Sequence, residues 1–294
     1  MGRFKQWEEL TIQDNFLFQK VMQNQRICKY LIVKILGIRI EKITFPEGEK
    51  SIDNRYDSKS IRLDVYVHDE NGHVYDIEMQ CTNGSEGELP KRTRYYQGMI
   101  DMDELKKGQY YTELKESFII FICTFDPFGE NLPMYTFRHR CIEKEGLELG
   151  DLSTKIFLNA KGESDTLDPD IAAFLRYVDG KAAEGALTKE INEEVIRIKE
   201  HKEMRREYMT LLMELQKYKT EGIAPSCKQE KFKLEKLSKI DVYKGLQNYA
   251  TAIDWENLFS LFHGKREFWT NSKLTFNIDF FVMPFNNVFY NCQT

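Results

Sequence analysis

The 294-residue sequence has no run of 18 or more apolar residues, so no segment reads as a membrane-spanning helix. Its N-terminus, Met1 to Leu10, mixes Arg3, Lys5, Glu8 and Glu9 and holds no apolar stretch of the kind a secretory signal carries. These absences predict a cytoplasmic protein without a membrane partner. The six cysteines, at 28, 81, 123, 141, 227 and 292, form no CxxC pair and no Cys/His cluster at zinc spacing. Reduced structural thiols are the expectation. Nor is there an excess of positive charge: the formal net charge is −5, and phosphate binding depends on Lys and Arg displacing counterions. Any contact with nucleic acid must come from local basic clusters, such as Lys91, Arg92 and Arg94, or Lys106 with Lys107. A short basic run on a helix is more often only a solvated face.

What is present is a globular composition, 41% hydrophobic and 30% charged, on a chain long enough for one main domain and an appendage. The apolar spacing of Phe18, Val21, Met22, Ile27, Leu31, Ile35 and Leu36 predicts a helix from Asp14 to Leu36, stopped by Gly37. Ile38 to Phe45 is expected as a strand and Glu47 to Ser60 as a loop. Leu89 to Lys107 reads as a helix with Pro90 in its first turn and Gly108 as its stop. Ser117 to Phe125 reads as a central strand, with weaker strands at Met134 to Cys141 and Lys155 to Asn159. Asp168-Pro169 opens a further helix that Gly180 closes. Ile191, Val195, Ile198, Tyr208, Leu212, Leu215 and Tyr218 then mark a long amphipathic helix suited to docking or self-association.

Two segments are more informative. Ile61 to His68 places Ile61, Leu63, Val65 and Val67 on one face and Arg62, Asp64, Tyr66 and His68 on the other. His73 to Cys81 repeats the alternation, with Tyr75, Ile77, Met79 and Cys81 against Val74, Asp76, Glu78 and Gln80. A hairpin loop of Glu70-Asn71-Gly72 pairs Asp69 with His73 and sets Ile61, Leu63, Val65 and Val67 opposite Cys81, Met79, Ile77 and Tyr75. The same register puts Asp64 opposite Glu78 and Arg62 opposite Gln80, with Gly72 in the left-handed position such loops favour. A four-residue loop would oppose Asp64 to Ile77.

Two carboxylates converging from adjacent strands are what a hard divalent cation such as Mg²⁺ requires. Asp64 and Glu78 supply them; the Gln80 amide, two residues on, is placed to orient water or a phosphate oxygen, and Arg92 offers a planar fork of donors. The alternation alone more often marks the solvated face of an amphipathic hairpin. The stretch from Leu10 to about Gly129 resembles the PD-(D/E)xK family of transposases, also called recombination-promoting nucleases. The matching pieces are TIQDNFLFQKVM, RLDVYV, DIEMQ and KRTRYYQGMIDMDELKKGQYYTELKESFIIFICTFDPFG, in that order. The resemblance implies a restriction-endonuclease-like α/β core, a mixed sheet flanked by helices in the order αβββαβ, followed by a helical C-terminal region. It implies Asp64 and Glu78 as ligands of Mg²⁺ or Mn²⁺, Gln80 at the motif lysine, and Arg92, Tyr95 and Tyr96 as supporting residues. Asp14 matches an acidic position of the first helix, which a helix cap explains as well. Leu63 stands where the family name has proline, and glutamine for lysine removes a cation from the site.

The resulting expectation is a metal-dependent DNA endonuclease related to mobile elements. The alternatives are a catalytically weak DNA-binding or recombination accessory protein, and an interaction module or homo-oligomer working through the 191–218 helix. The expected organisation is a nuclease-like domain over 1–162, a helical region over 163–222 and a divergent tail over 223–294. That tail turns rich in Phe and Asn, and it reads either as loosely attached or as a small subdomain around Trp255, Phe259, Phe262 and Trp269.

Overall fold

A computed structural model describes residues 5–52, 59–84, 87–163 and 166–220; the expectations for the 223–294 tail lie outside the described residues. The first helical stretch is two helices, α1 (Asn15–Met22) and α2 (Gln25–Leu36). The break falls at Asn24, whose side chain accepts the N–H groups of Arg26 and Ile27 and so starts a new helix. Ile38 to Phe45 is not a strand and contributes one bridge, Ile43 to Asp69. The first strand is β1 (Glu47–Ile52), inside the segment expected as a loop. There follow β2 (Ile61–His68), β3 (Val74–Gln80), α3 (Glu88–Glu104), β4 (Ser117–Cys123), β5 (Met134–Phe137) and β6 (Ser153–Asn159). With the first helix split in two, the order αβββαβ holds.

The six strands form one mixed sheet in the order β1-β2-β3-β4-β6-β5. β3, β4 and β6 run parallel at its centre, and the other pairings are antiparallel. Central strands buried on both faces read as continuous apolar runs. In β4, Phe118, Ile120 and Ile122 enter one core while Ile119, Phe121 and Cys123 enter the other. The first core is covered by α1, α2, α4 (Pro169–Val178) and α5 (Ala186–Glu200); the second is covered by α3 through Leu89, Tyr96, Met99 and Ile100.

The long amphipathic helix is likewise two, α5 and α6 (Lys202–Thr220), parted at His201. Its apolar face docks within the chain: Ile191, Val195, Ile198, Tyr208 and Leu212 are buried in the first core. At the same place the N-terminal segment is clasped. The Trp7 indole N–H donates to the Lys199 carbonyl (3.2 Å), Lys199 Nζ donates to the carbonyls of Glu8 and Leu10 (2.8 and 3.0 Å), and the Tyr208 hydroxyl donates to the Lys5 carbonyl (2.8 Å). Among the described residues, no helix is long and apolar enough to cross a membrane, and Cys28, Cys81, Cys123 and Cys141 are free thiols.

Candidate active site

The hairpin that carries the two carboxylates has the expected register near its turn: Val67 faces Tyr75 and Val65 faces Ile77. Asp69 organises that turn. Its carboxylate accepts the N–H groups of Asn71 and His73 and the Tyr75 hydroxyl, and Gly72 sits at φ 81. Beyond Val65 the expected faces fail. Leu63 and Ile61 enter the α3-side core with Tyr66, whereas Val65 and Val67 enter the α1-side core, so the alternation changes phase at Asp64.

Both neighbours of β2 show the cause. The β2–β3 pairing ends at Val65, and Leu63 and Ile61 have no partners on β3. The β1–β2 pairing runs from Gly48–Val65 to Lys50–Leu63, skipping Asp64, and Glu49 there adopts φ 58. A break in a ladder re-aims a side chain; here it frees the Asp64 N–H, which donates to Glu78 Oε1 at 2.8 Å. In return Asp64 Oδ2 accepts the Met79 N–H at 3.2 Å. The carboxylates have taken over the bonds of the missing ladder and lock together where the strands part.

Asp64 and Glu78 are buried, at 4% and 2% exposure. Asp64 Oδ1 accepts the amides of Gln19 (3.1 Å) and Asn15 (3.4 Å) from α1. Glu78 Oε2 accepts Arg92 Nη2 at 2.7 Å, while Arg92 Nη1 donates to Gln80 Oε1 and Nε donates to the Tyr96 hydroxyl, both at 2.9 Å. The guanidinium lies 5.0 Å from the Tyr96 ring centre and 5.2 Å from that of Phe121, within cation–π range. Arg92 thus turns inward, while Lys91 and Arg94 remain exposed. A cleft of about 260 Å³, lined by Asn15, Arg62, Asp64, Glu78, Met79, Gln80, Cys81, Thr82 and Arg92, opens over the pair.

Burial, then the negative charge of Asp64, pushes the Glu78 carboxyl up to about 8; burial likewise raises Asp64, against the Met79 and Gln19 donors. Asp76, beneath Glu78 on the same strand face, is fully buried without a hydrogen-bond donor for either oxygen and is raised well above the carboxylate range by burial and by Glu78. Two acids that oppose each other's ionisation in a low-dielectric cleft are a donor set that a divalent cation relieves. Among the described residues no third His, Cys, Asp or Glu completes a cage; this suits Mg²⁺, which is commonly held by one or two carboxylates and keeps several waters.

The structure therefore brings together Asp64, Glu78, Gln80, Arg92 and Tyr96. It does not bring in Tyr95, whose hydroxyl donates to the Lys59 carbonyl, nor Asp14, whose carboxylate holds Lys5 and the Thr11 N–H without capping α1. Asn15, Gln19 and Asp76 were missed. The i, i+4 spacing of Asn15 and Gln19 marks a common helix face but cannot name its partner 45 residues away; Asp76 was visible on the polar face of its strand.

No curated protein and no solved structure matches the chain. The model of the PD-(D/E)XK nuclease family transposases matches residues 15–161, half of the chain and all of the helix, hairpin and strand elements that meet at the cleft. The chain belongs to that family of nuclease-like proteins related to mobile elements.

Proposed function

We propose that this chain is a metal-dependent DNA endonuclease, hydrolysing phosphodiester bonds with Mg²⁺ or Mn²⁺ held by Asp64 and Glu78. The observation that carries the reading is the interlock of these two buried carboxylates at the floor of an open cleft, beside an arginine fork. When bound, the cation supplies Lewis acidity toward a phosphoryl oxygen and a means of activating water. The remaining work falls to the chain. Asp64 and Glu78 fix the position of positive charge, and the Gln80 amide orients what enters above them. Arg92, whose Nη1 and Nη2 are held by Gln80 and Glu78, supplies a fixed positive charge that attracts a phosphate to the cleft. The absence of a lysine at Gln80 is offset by Arg92, whose Nη1 donates to the Gln80 oxygen at 2.9 Å and so brings a positive charge to the same wall of the cleft. Tyr96 holds the third edge of the fork.

Plasmid cleavage with Mg²⁺ and with EDTA tests the reading. Asp64→Ala and Glu78→Ala are each expected to abolish metal-dependent cleavage with the circular dichroism spectrum retained, and Gln80→Ala to cost less than either. Cleavage by Asp64→Ala at the parent rate would sink the assignment.

A further inference from the structure

α1 buries Leu17, Phe18, Val21 and Met22, and with them one polar side chain, Gln19, at 5% exposure. Its Nε2 donates to Asp64 Oδ1 at 3.1 Å, and Asn15, one turn earlier, donates to the same oxygen at 3.4 Å. β1 approaches this helix at Gly48, where a Cβ would lie 3.2 Å from Gln23 Nε2 and 3.8 Å from Gln19 Cβ. Among the described residues, every hydrogen bond to the Asp64 carboxylate thus comes from a neutral group, two side-chain amides and the Met79 backbone N–H, while Arg62 and Arg92 act on it through charge without a hydrogen bond. Glu78, by contrast, is held by the cationic Arg92.

From this asymmetry we infer that Gln19 is a positioning residue that fixes the Asp64 carboxylate for a divalent cation while adding no positive charge of its own beside it. A neutral donor orients an anionic ligand without competing with the metal; a cationic donor in the same place would orient it and repel the metal. The inference rests on Asp64 being a metal ligand, as proposed above.

Mn²⁺ titrated calorimetrically into metal-stripped full-length protein tests it, with Asp64→Ala as the reference. Gln19→Met keeps the buried volume and removes the donor, and is expected to weaken Mn²⁺ binding by about 10–100-fold, the usual range for a residue that orients a ligand. Cleavage should recover toward the parent rate at saturating Mn²⁺, with the KM for DNA unchanged. Gln19→Lys restores a donor and adds charge, and is expected to bind Mn²⁺ more weakly than Gln19→Met. Asn15→Ala, at an exposed position that tolerates truncation, should show a smaller loss and keeps the test open should the Gln19 variants misfold. Parent-like Mn²⁺ affinity in folded Gln19→Met and in Gln19→Lys, with binding lost in Asp64→Ala, overturns the role of Gln19 alone. Parent-like affinity in Asp64→Ala overturns the metal site itself, and this inference with it.

Discussion

Glu78 holds its proton in the folded state up to about 8, well above its ordinary value of 4.5, because it is buried and faces Asp64. Between those two values the folded chain binds a proton that the unfolded chain has released, so this proton's contribution to stability is fully present below about 4.5 and is lost as pH rises through about 8. In EDTA, the melting temperature is expected to fall from about pH 5 to about pH 8, and to fall less in Glu78→Gln. Metal binding needs the ionised carboxylates, so affinity for Mn²⁺ should rise over the same window. Parallel melting profiles for parent and Glu78→Gln would count against the raised acid. At this scale the sequence showed much of the site, because strand alternation alone puts Asp64, Glu78 and Gln80 among polar positions. It showed less where partners are far apart in the chain: Gln19 reads as an ordinary helix residue until α1 is laid beside β2. Arg92 and Tyr96 were legible on their helix, but which member of the Tyr95-Tyr96 pair faces inward was decided by packing against Phe121.

The hairpin turn and the loops that support the sheet can be tested as elements. Gly72 sits at φ 81, where a β-branched residue is strained. Gly72→Val is expected to cost roughly 1–3 kcal/mol from the backbone alone and to loosen the register that aligns Asp64 with Glu78, although it touches neither. A melting temperature equal to the parent's would refute this. Gly162, after β6, is constrained differently: an added Cβ would lie 2.7 Å from the Leu132 carbonyl oxygen and from Pro133. The obstacle is backbone, which cannot swing aside, so Gly162→Ala should also lower stability by about 1–3 kcal/mol as for other overpacked sites, read from the denaturation midpoint. The element order and the hairpin were legible because periodicity reports burial. β1 was not, since EGEKSI is an edge strand whose only buried side chain is Ile52, and its pairing with β2 leaves no hydrophobic pattern. Ile38 to Phe45 misled for the converse reason: Ile40 and Ile43 are buried, but in irregular backbone beneath the turn of the hairpin.

Over the whole molecule, the nuclease-like sheet and the C-terminal helices are one folding unit among the described residues, since α4, α5 and α6 complete the core that α1 and α2 begin. Trp7, Phe16 and Tyr208 meet edge-on or tilted at the join, with ring centres 5.3 to 6.0 Å apart. Trp7→Ala should therefore cost about 3–5 kcal/mol, the range for deleting a buried large aromatic, and should weaken Mn²⁺ binding as well, because α1 carries Gln19 and Asn15 to Asp64. Chemical denaturation and calorimetry on one sample measure both; a loss of stability with metal affinity intact would separate the clasp from the site. The same clasp sets a timetable during synthesis. Trp7 leaves the ribosome 192 residues ahead of Lys199, the residue that accepts its indole N–H, an interval on the order of 10–40 s at typical elongation rates. Until α5 and α6 emerge, α1 has only α2, β1 and β2 to pack against, and the side of it that meets the C-terminal helices is uncovered. A nascent chain of this protein thus carries Asp64 and Glu78 long before the helices that finish the core around them are made.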